Sequence, residues 1–218
     1  TRPLTIRAAT TGGVTFDGGG STNGLAVVEG AHDITFDGFK FANWAPVSSG
    51  VVYASAAYNL SFKNLTLLGT CLGSVFSGSA LDHGFYLSLA ASPGLHDILI
   101  EDCTVTPPAD TTRLLHSAVQ VYGSGSEAAY NVTVRRLTAR ARNGLIIWGT
   151  GIHDCLFDGC TFTSCTDFGA RQQYANAGMS YTNCTSTGSG IQGFYNGGTA
   201  SPDSAAPSGT TFTSCSWG

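Results

Sequence analysis

Residues 155–162 read CLFDGCTF, and residues 34–41 read ITFDGFKF. The same pattern returns as VTFDGG (14–19), LSFKNLTL (60–67), ILIEDCTV (98–105), VTVRRLTA (132–139), MSYTNCTS (179–186) and TTFTSCSW (210–217). Successive starts lie 20, 26, 38, 34, 23, 24 and 31 residues apart. Self-similarity at a period of roughly 20–50 residues is the signature of a solenoid or a related repeat architecture. Within each copy the third residue is apolar (Phe16, Phe36, Phe62, Ile100, Val134, Phe157, Tyr181, Phe212). The sixth forms a second column: Gly19, Phe39, Leu65, Cys103, Leu137, Cys160, Cys184 and Cys215. Between them sits a turn residue: Gly18, Gly38, Asn64, Asp102, Arg136, Gly159, Asn183 or Ser214. Gly, Asn and Asp tolerate a left-handed backbone, so each copy predicts a strand, a tight bend and another short strand.

A second motif, small-Gly-apolar-x-apolar, precedes most copies: NGLAV (23–27), SGVVY (49–53), HGFYL (83–87), SAVQV (117–121), NGLII (143–147) and SGIQG (189–193), with FGARQ (168–172) a weaker member. One rung is then three strands in some twenty residues, and each copy buries its face only against its neighbours. These repeats resemble the right-handed parallel β-helix family, the fold of pectate lyases and their relatives, across essentially all 218 residues. The expected fold is an all-β right-handed parallel β-helix of about eight rungs, a single domain over 1–218 with no obvious end caps. The ends point to a fragment of a longer protein, or to a module whose open ends stack head to tail.

Composition agrees. Only 11% of the 218 residues are charged, whereas about 25% is usual for a soluble domain. Lys occurs twice, Glu three times and Met once, which disfavours a helical bundle. No apolar run is long enough for a membrane span, and no signal peptide opens the chain. A net charge of −4 without a basic run leaves no footprint for nucleic acid.

The rungs are not uniform. Insertions at 68–84, 106–116, 89–95 and 123–130 flank the strands at 85–88 and 119–122, which predicts a walled groove across the middle of the rod. With Phe85, Leu87, Val119, Val121, Leu145 and Ile147 inward, the groove floor is Tyr86, Ser88, Gln120, Tyr122, Ile146 and Trp148, continued by Arg171 and Gln173. Such a row offers rings for stacking on sugars and polar groups for hydroxyls and carboxylates. The alternative is a solvated sheet face with incidental aromatics. Asp82 and His83, then Arg113 and His116, then Arg140 and Arg142 begin equivalent strands and are expected to stack; the alternative there is a solvated charged edge.

The resemblance implies an extracellular, often acidic, polysaccharide as partner and a secreted or cell-surface location. It also implies β-elimination, hydrolysis or epimerisation. Elimination needs a cation, a base and an acid. Arg113, Arg140 or Arg142 would serve as the cation, His83 or His116 as the base, and Tyr86 or Tyr122 as the acid. Asp82, Gln120, Tyr122, Arg140, Trp148, Arg171 and Gln173 would form the binding set. Motifs of polygalacturonases, pectate lyases and mannuronan epimerases are absent, Asp82-His83-Gly84 being only a superficial echo. The favoured reading is a lyase-like polysaccharide-binding protein; the rival is a non-catalytic adhesive or filament-forming solenoid. No cofactor is expected, and no Asp-rich loop marks a calcium site. Cys103, Cys160, Cys184 and Cys215 share one inward column and read as small core hydrophobes. Sequons occur at Asn59, Asn64, Asn131 and Asn183, of which Asn64 and Asn183 fall in the turn column.

Overall fold

A computed structural model describes residues 2–20, 24–28, 30–44, 49–69, 82–88, 94–106, 114–123, 129–174, 176–197 and 208–218. Every described element is a strand, and three parallel sheets run the length of the chain. Sheet A stacks Leu4–Arg7, His32–Asp37, Tyr58–Lys63, Leu95–Glu101, Ala129–Arg135, Leu156–Asp158, Ser180–Thr182 and Thr211–Thr213. Sheet B follows each of these across a bend, from Val14–Asp17 to Ser216–Trp217. Sheet C stacks seven strands from Leu25–Val28 to Gln192–Gly197. The chain is a right-handed parallel β-helix.

The bend between sheets A and B is the turn column of the sequence. Gly38, Asn64, Asp102, Arg136, Gly159, Asn183 and Ser214 all have positive φ, between 49° and 83°. Gly18 does not belong to it, because the first copy is out of phase. Phe16 pairs with Phe41 in sheet B, and Ile6 takes the place above Phe36 in sheet A. The local sequence of VTFDGG imitates the repeat, but strand pairing assigns it to the second strand of the rung.

The core fills the tube between the sheets. Phe62, Phe85, Leu87, Ile100, Val121, Ile147 and Phe157 are fully buried. Outside, sheet A carries a column of alternating sign: Arg7, Asp37, Lys63, Glu101, Arg135 and Asp158 occupy successive rungs. Opposite charges directly across neighbouring strands favour this register, while a like-charge neighbour would oppose it.

A second left-handed column starts sheet A. Asp33, Asn59, Asp97, Asn131 and Asp154 have φ between 51° and 57°. Each follows a ring, and His32, Tyr58, His96, Tyr130 and His153 stack with centroids 4.7–5.3 Å apart. Asn59 and Asn131 donate to the carboxylates of Asp33 and Asp97, and Asn64 and Asn183 donate to Asp37 and Asp158. All four sequon asparagines are thus rungs of hydrogen-bonded ladders.

Candidate functional site

Sheet C sets the site by register. One outward row runs Tyr53, Tyr86, Gln120, Ile146, Arg171, Tyr195. The next runs Ser55, Ser88, Tyr122, Trp148, Gln173, Gly197. The strand starts depart from simple alternation. Gly84, Ala118, Gly144 and Gly169 face the core: a Cβ on Gly84 would lie 3.2 Å from the Val105 methyls, and one on Gly144 would lie 2.6 Å from Cγ of Phe162. That turn inward lets the preceding residues, His83, Ser117, Asn143 and Phe168, stand on the outside with the Tyr86–Arg171 row. His83 and Tyr86 touch accordingly, with ring centroids 4.8 Å apart.

The floor is less open than alternation alone suggests. Tyr86, Tyr122 and Trp148 are half-buried, whereas Ser88, Gln120 and Ile146 are buried. Rungs lie about 4.8 Å apart, roughly one side-chain thickness. Gln120 and Ile146 are therefore sandwiched between Tyr86 and Arg171 instead of lining a solvated channel.

At the start of these strands the backbone stacks Asp82, His116, Arg142 and Asp167 in consecutive rungs. The amide of His116 donates to the Asp82 carbonyl, and that of Asp167 to the Arg142 carbonyl. Asn143 bonds the His116 carbonyl through both its amide and its side chain. Arg142 forms an ion pair with Asp167 at 2.8 Å. His83 is 1% exposed and hydrogen-bonds Oγ of Ser117 through Nδ1 at 2.7 Å. Burial holds its pKa well below the usual range, helped by His116. Burial, then the charge of Arg142, pushes His116 down to about 4, against the opposing pull of Asp167. Both histidines are neutral at neutral pH. Burial raises the Tyr86 phenol, so it too stays neutral.

Farther along, Arg171 lies among three rings, with its guanidinium carbon 5.2 Å from the Trp148 centroid, 5.4 Å from Phe168 and 5.8 Å from Tyr195. Tyr174 packs on Trp148 at 5.5 Å. Among the described residues Arg171 has no ion pair, and its Nε has no hydrogen-bond partner; the Gln173 amide oxygen beside it lacks one as well. Burial lowers the Arg171 pKa without discharging the group.

Tyr86, Gln120, Tyr122, Trp148, Arg171 and Gln173 thus share one face, and Asp82, His83, His116 and Arg142 border it. Arg140 stands apart from the Arg142 stack, since its amide donates to Val105 of sheet B. Arg113 and most of the expected groove walls (70–81, 89–93, 107–113, 124–128) lie outside the described residues. Among the described residues no cluster of His, Cys, Asp and Glu suited to a metal ion occurs, and no helix is long and apolar enough to cross a membrane.

Tyr53, Phe168 and Tyr195 join the face although sequence reasoning left them out. Gly50 pairs with His83 and Val52 with Phe85, so SGVVY is offset by one residue from HGFYL. Ala170 pairs with Phe194, so the in-phase motif near the last rungs is QGFYN, not SGIQG. Matching the aromatic residue two places after the core-facing small residue would have found Tyr195.

No family model matches the sequence, and no curated protein does. Solved structures do resemble it. PfbA, a surface adhesin of Streptococcus pneumoniae, superposes with a TM-score of 0.63 at 12% identity, over 97% of this chain and 56% of that one. The catalytic unit of a thermostable GH87 α-1,3-glucanase from Streptomyces thermodiastaticus strain HF3-3 gives 0.56 at 14% identity, over 89% of this chain and 41% of that one. The chain therefore spans about half the length of these structures, and at such identities the likeness is one of fold.

Proposed function

We propose that the protein is a secreted or cell-surface glycan-binding β-helix that holds an extended polysaccharide along the outer face of sheet C. The observation that carries this reading is the Trp148–Arg171–Tyr195 group, whose guanidinium has no ion pair among the described residues and stands in a row with Tyr53, Tyr86 and Gln120. Half-buried rings stack on sugar faces, and an unpaired, partly desolvated guanidinium favours carboxylate or sulfate groups. The scaffold also carries adhesion in one fold neighbour and sits in the catalytic unit of a glucanase in another. Binding is favoured over catalysis here because the face is built of rings and an arginine, while His83 is shielded and bonded to Ser117 and burial makes His116 a weak base with a pKa of about 4.

A lyase-like β-elimination on an acidic glycan remains the second reading, supported by the contact of His83 with Tyr86 and by His116, which packs on His83 at 5.6 Å and feels the charges of Arg142 and Arg171. Self-association through the solenoid ends belongs to the adhesive reading. A panel of acidic and neutral polysaccharides separates the cases. Saturable binding of acidic glycans without new unsaturated-uronate absorbance supports adhesion. Growth of that absorbance, lost in His83→Ala, supports elimination. Absence of binding to every glycan rejects both.

A further inference from the structure

The free thiols are arranged in order. Cys160 and Cys184 hold the same position in consecutive rungs, because Asp158 pairs with Thr182 and Thr161 with Thr185 on either side of them. Each follows a left-handed corner residue, Gly159 at φ 63° and Asn183 at φ 52°, so the two Cα–Cβ bonds leave the backbone in parallel. Neighbouring strands hold such residues about 4.8 Å apart. That lies inside the Cα separation of roughly 4.4–6.8 Å that a disulfide spans. Both residues are fully buried, and each thiol donates to the carbonyl of the preceding rung, Cys160 to Val134 and Cys184 to Phe157, so the two sulfurs lie in the same orientation one above the other.

The rest of the column singles out this pair. Leu137 separates Cys103 from Cys160, since Thr138 lies between Thr104 and Thr161. Cys215 continues the column beyond Cys184, but it is only partly buried, whereas Cys160 and Cys184 are both fully buried. The rungs of Cys160 and Cys184 are paired in all three sheets, which fixes their alignment.

We propose that Cys160 and Cys184 form an inter-rung disulfide under oxidising conditions, closing one turn of the solenoid into a covalent ring. The thiolate of either cysteine attacks a low-molecular-weight disulfide such as oxidised glutathione, breaks its S–S bond and releases one thiol. The other thiolate then attacks the protein sulfur of the mixed disulfide and expels the second thiol. Two protein thiols lose two electrons and two protons, and the oxidant is reduced to two thiols. Both sulfurs are shielded in the folded rod, so the bond forms while the rungs assemble. This inference does not depend on what the sheet C face binds.

The test refolds the reduced, denatured chain in a glutathione redox mixture, then alkylates, digests and maps it by mass spectrometry. The expected result is a crosslinked peptide joining Cys160 to Cys184, a mass lower by about 2 Da, and two fewer alkylated thiols. The melting temperature should rise by roughly 5 °C or more and fall back on reduction. Cys160→Ala should lose the crosslink and the reductant-sensitive shift, while Cys103→Ala should keep both. Complete alkylation after oxidative refolding, or a crosslink from Cys184 to Cys215 instead, would overturn the proposal.

Discussion

Arg171 stands among Trp148, Phe168 and Tyr195 with no ion pair to any described residue. Rings within cation–π reach hold such a guanidinium in place and leave its terminal N–H groups for an anionic group. Arg171→Ala should therefore weaken binding of an acidic polysaccharide about tenfold or more, since a charge-assisted hydrogen bond contributes about 1.5–3 kcal/mol. Binding of a neutral glycan should change less; titration calorimetry with both ligands would reveal equal losses if the charge is irrelevant. His116 gives a second residue-level expectation. Its folded pKa of about 4 lies below the ordinary value of 6.5, so between these the unfolded chain binds more protons than the folded one. Stability is complete above pH 6.5 and is lost as pH falls toward 4, with a slope of at most about 1.4 kcal/mol per pH unit from this group. His83, shifted the same way, adds to the loss. Urea unfolding of His116→Gln across this range should show a shallower pH slope; an unchanged slope would assign the acid sensitivity to other groups.

At the scale of the strand, the sheet C strands from Asp82 to Gln173 begin with a small residue that turns inward, Gly84, Ala118, Gly144 or Gly169. Gly144 meets the Phe162 ring and the Gly169 carbonyl there, so Gly144→Ala has nowhere to put its methyl without moving a neighbouring rung. Overpacking of this kind costs about 1–3 kcal/mol, and thermal unfolding should show the midpoint lowered by several degrees. Ala118→Gly, at the matching position one rung earlier, should cost less, because only a methyl is lost. The same strands show what the residues alone made legible. Turn chemistry marked five of the eight A–B bends, at Gly38, Asn64, Asp102, Gly159 and Asn183, because left-handed φ favours these residue types; Arg136 and Ser214 adopt it too and were legible only through the repeat. The inward columns of Phe85, Val119 and Leu145 were legible for a similar reason, since burial tolerates only apolar groups. Phase was harder to read. VTFDGG, SGVVY and SGIQG each fit the motif locally and are displaced by the hydrogen bonds of neighbouring strands. The Asp/Asn column from Asp33 to Asp154 escaped notice because its meaning lies between rungs, where Asn59 and Asn131 reach back to the previous aspartate.

Across the whole molecule, parallel stacking turns sequence neighbours about 25 residues apart into spatial neighbours about 4.8 Å apart. A site on this scaffold is consequently a line along the rod, and its chemistry changes rung by rung. The line from Tyr53 to Tyr195 crosses six strands, or five spacings, roughly 24 Å. Its middle, at Gln120 and Ile146, is sandwiched, and its two ends offer rings: Tyr53 and Tyr86 at one, Trp148, Phe168 and Tyr195 at the other. A ligand that engages both ends must be long enough to bridge the middle. Affinity should then rise in two steps as an oligosaccharide lengthens, once when it fills the Arg171 end and again when it reaches Tyr53 and Tyr86, and level off beyond. The second step reflects an added contact that no longer carries the cost of bringing two molecules together. Calorimetry over a size-fractionated series, with wild-type protein and Tyr53→Ala, measures this. Tyr53→Ala should remove most of the second step and leave the first. A smooth curve that saturates at the shortest oligomers, identical in both proteins, would confine the site to the Arg171 end and leave the remaining row as solvated sheet surface.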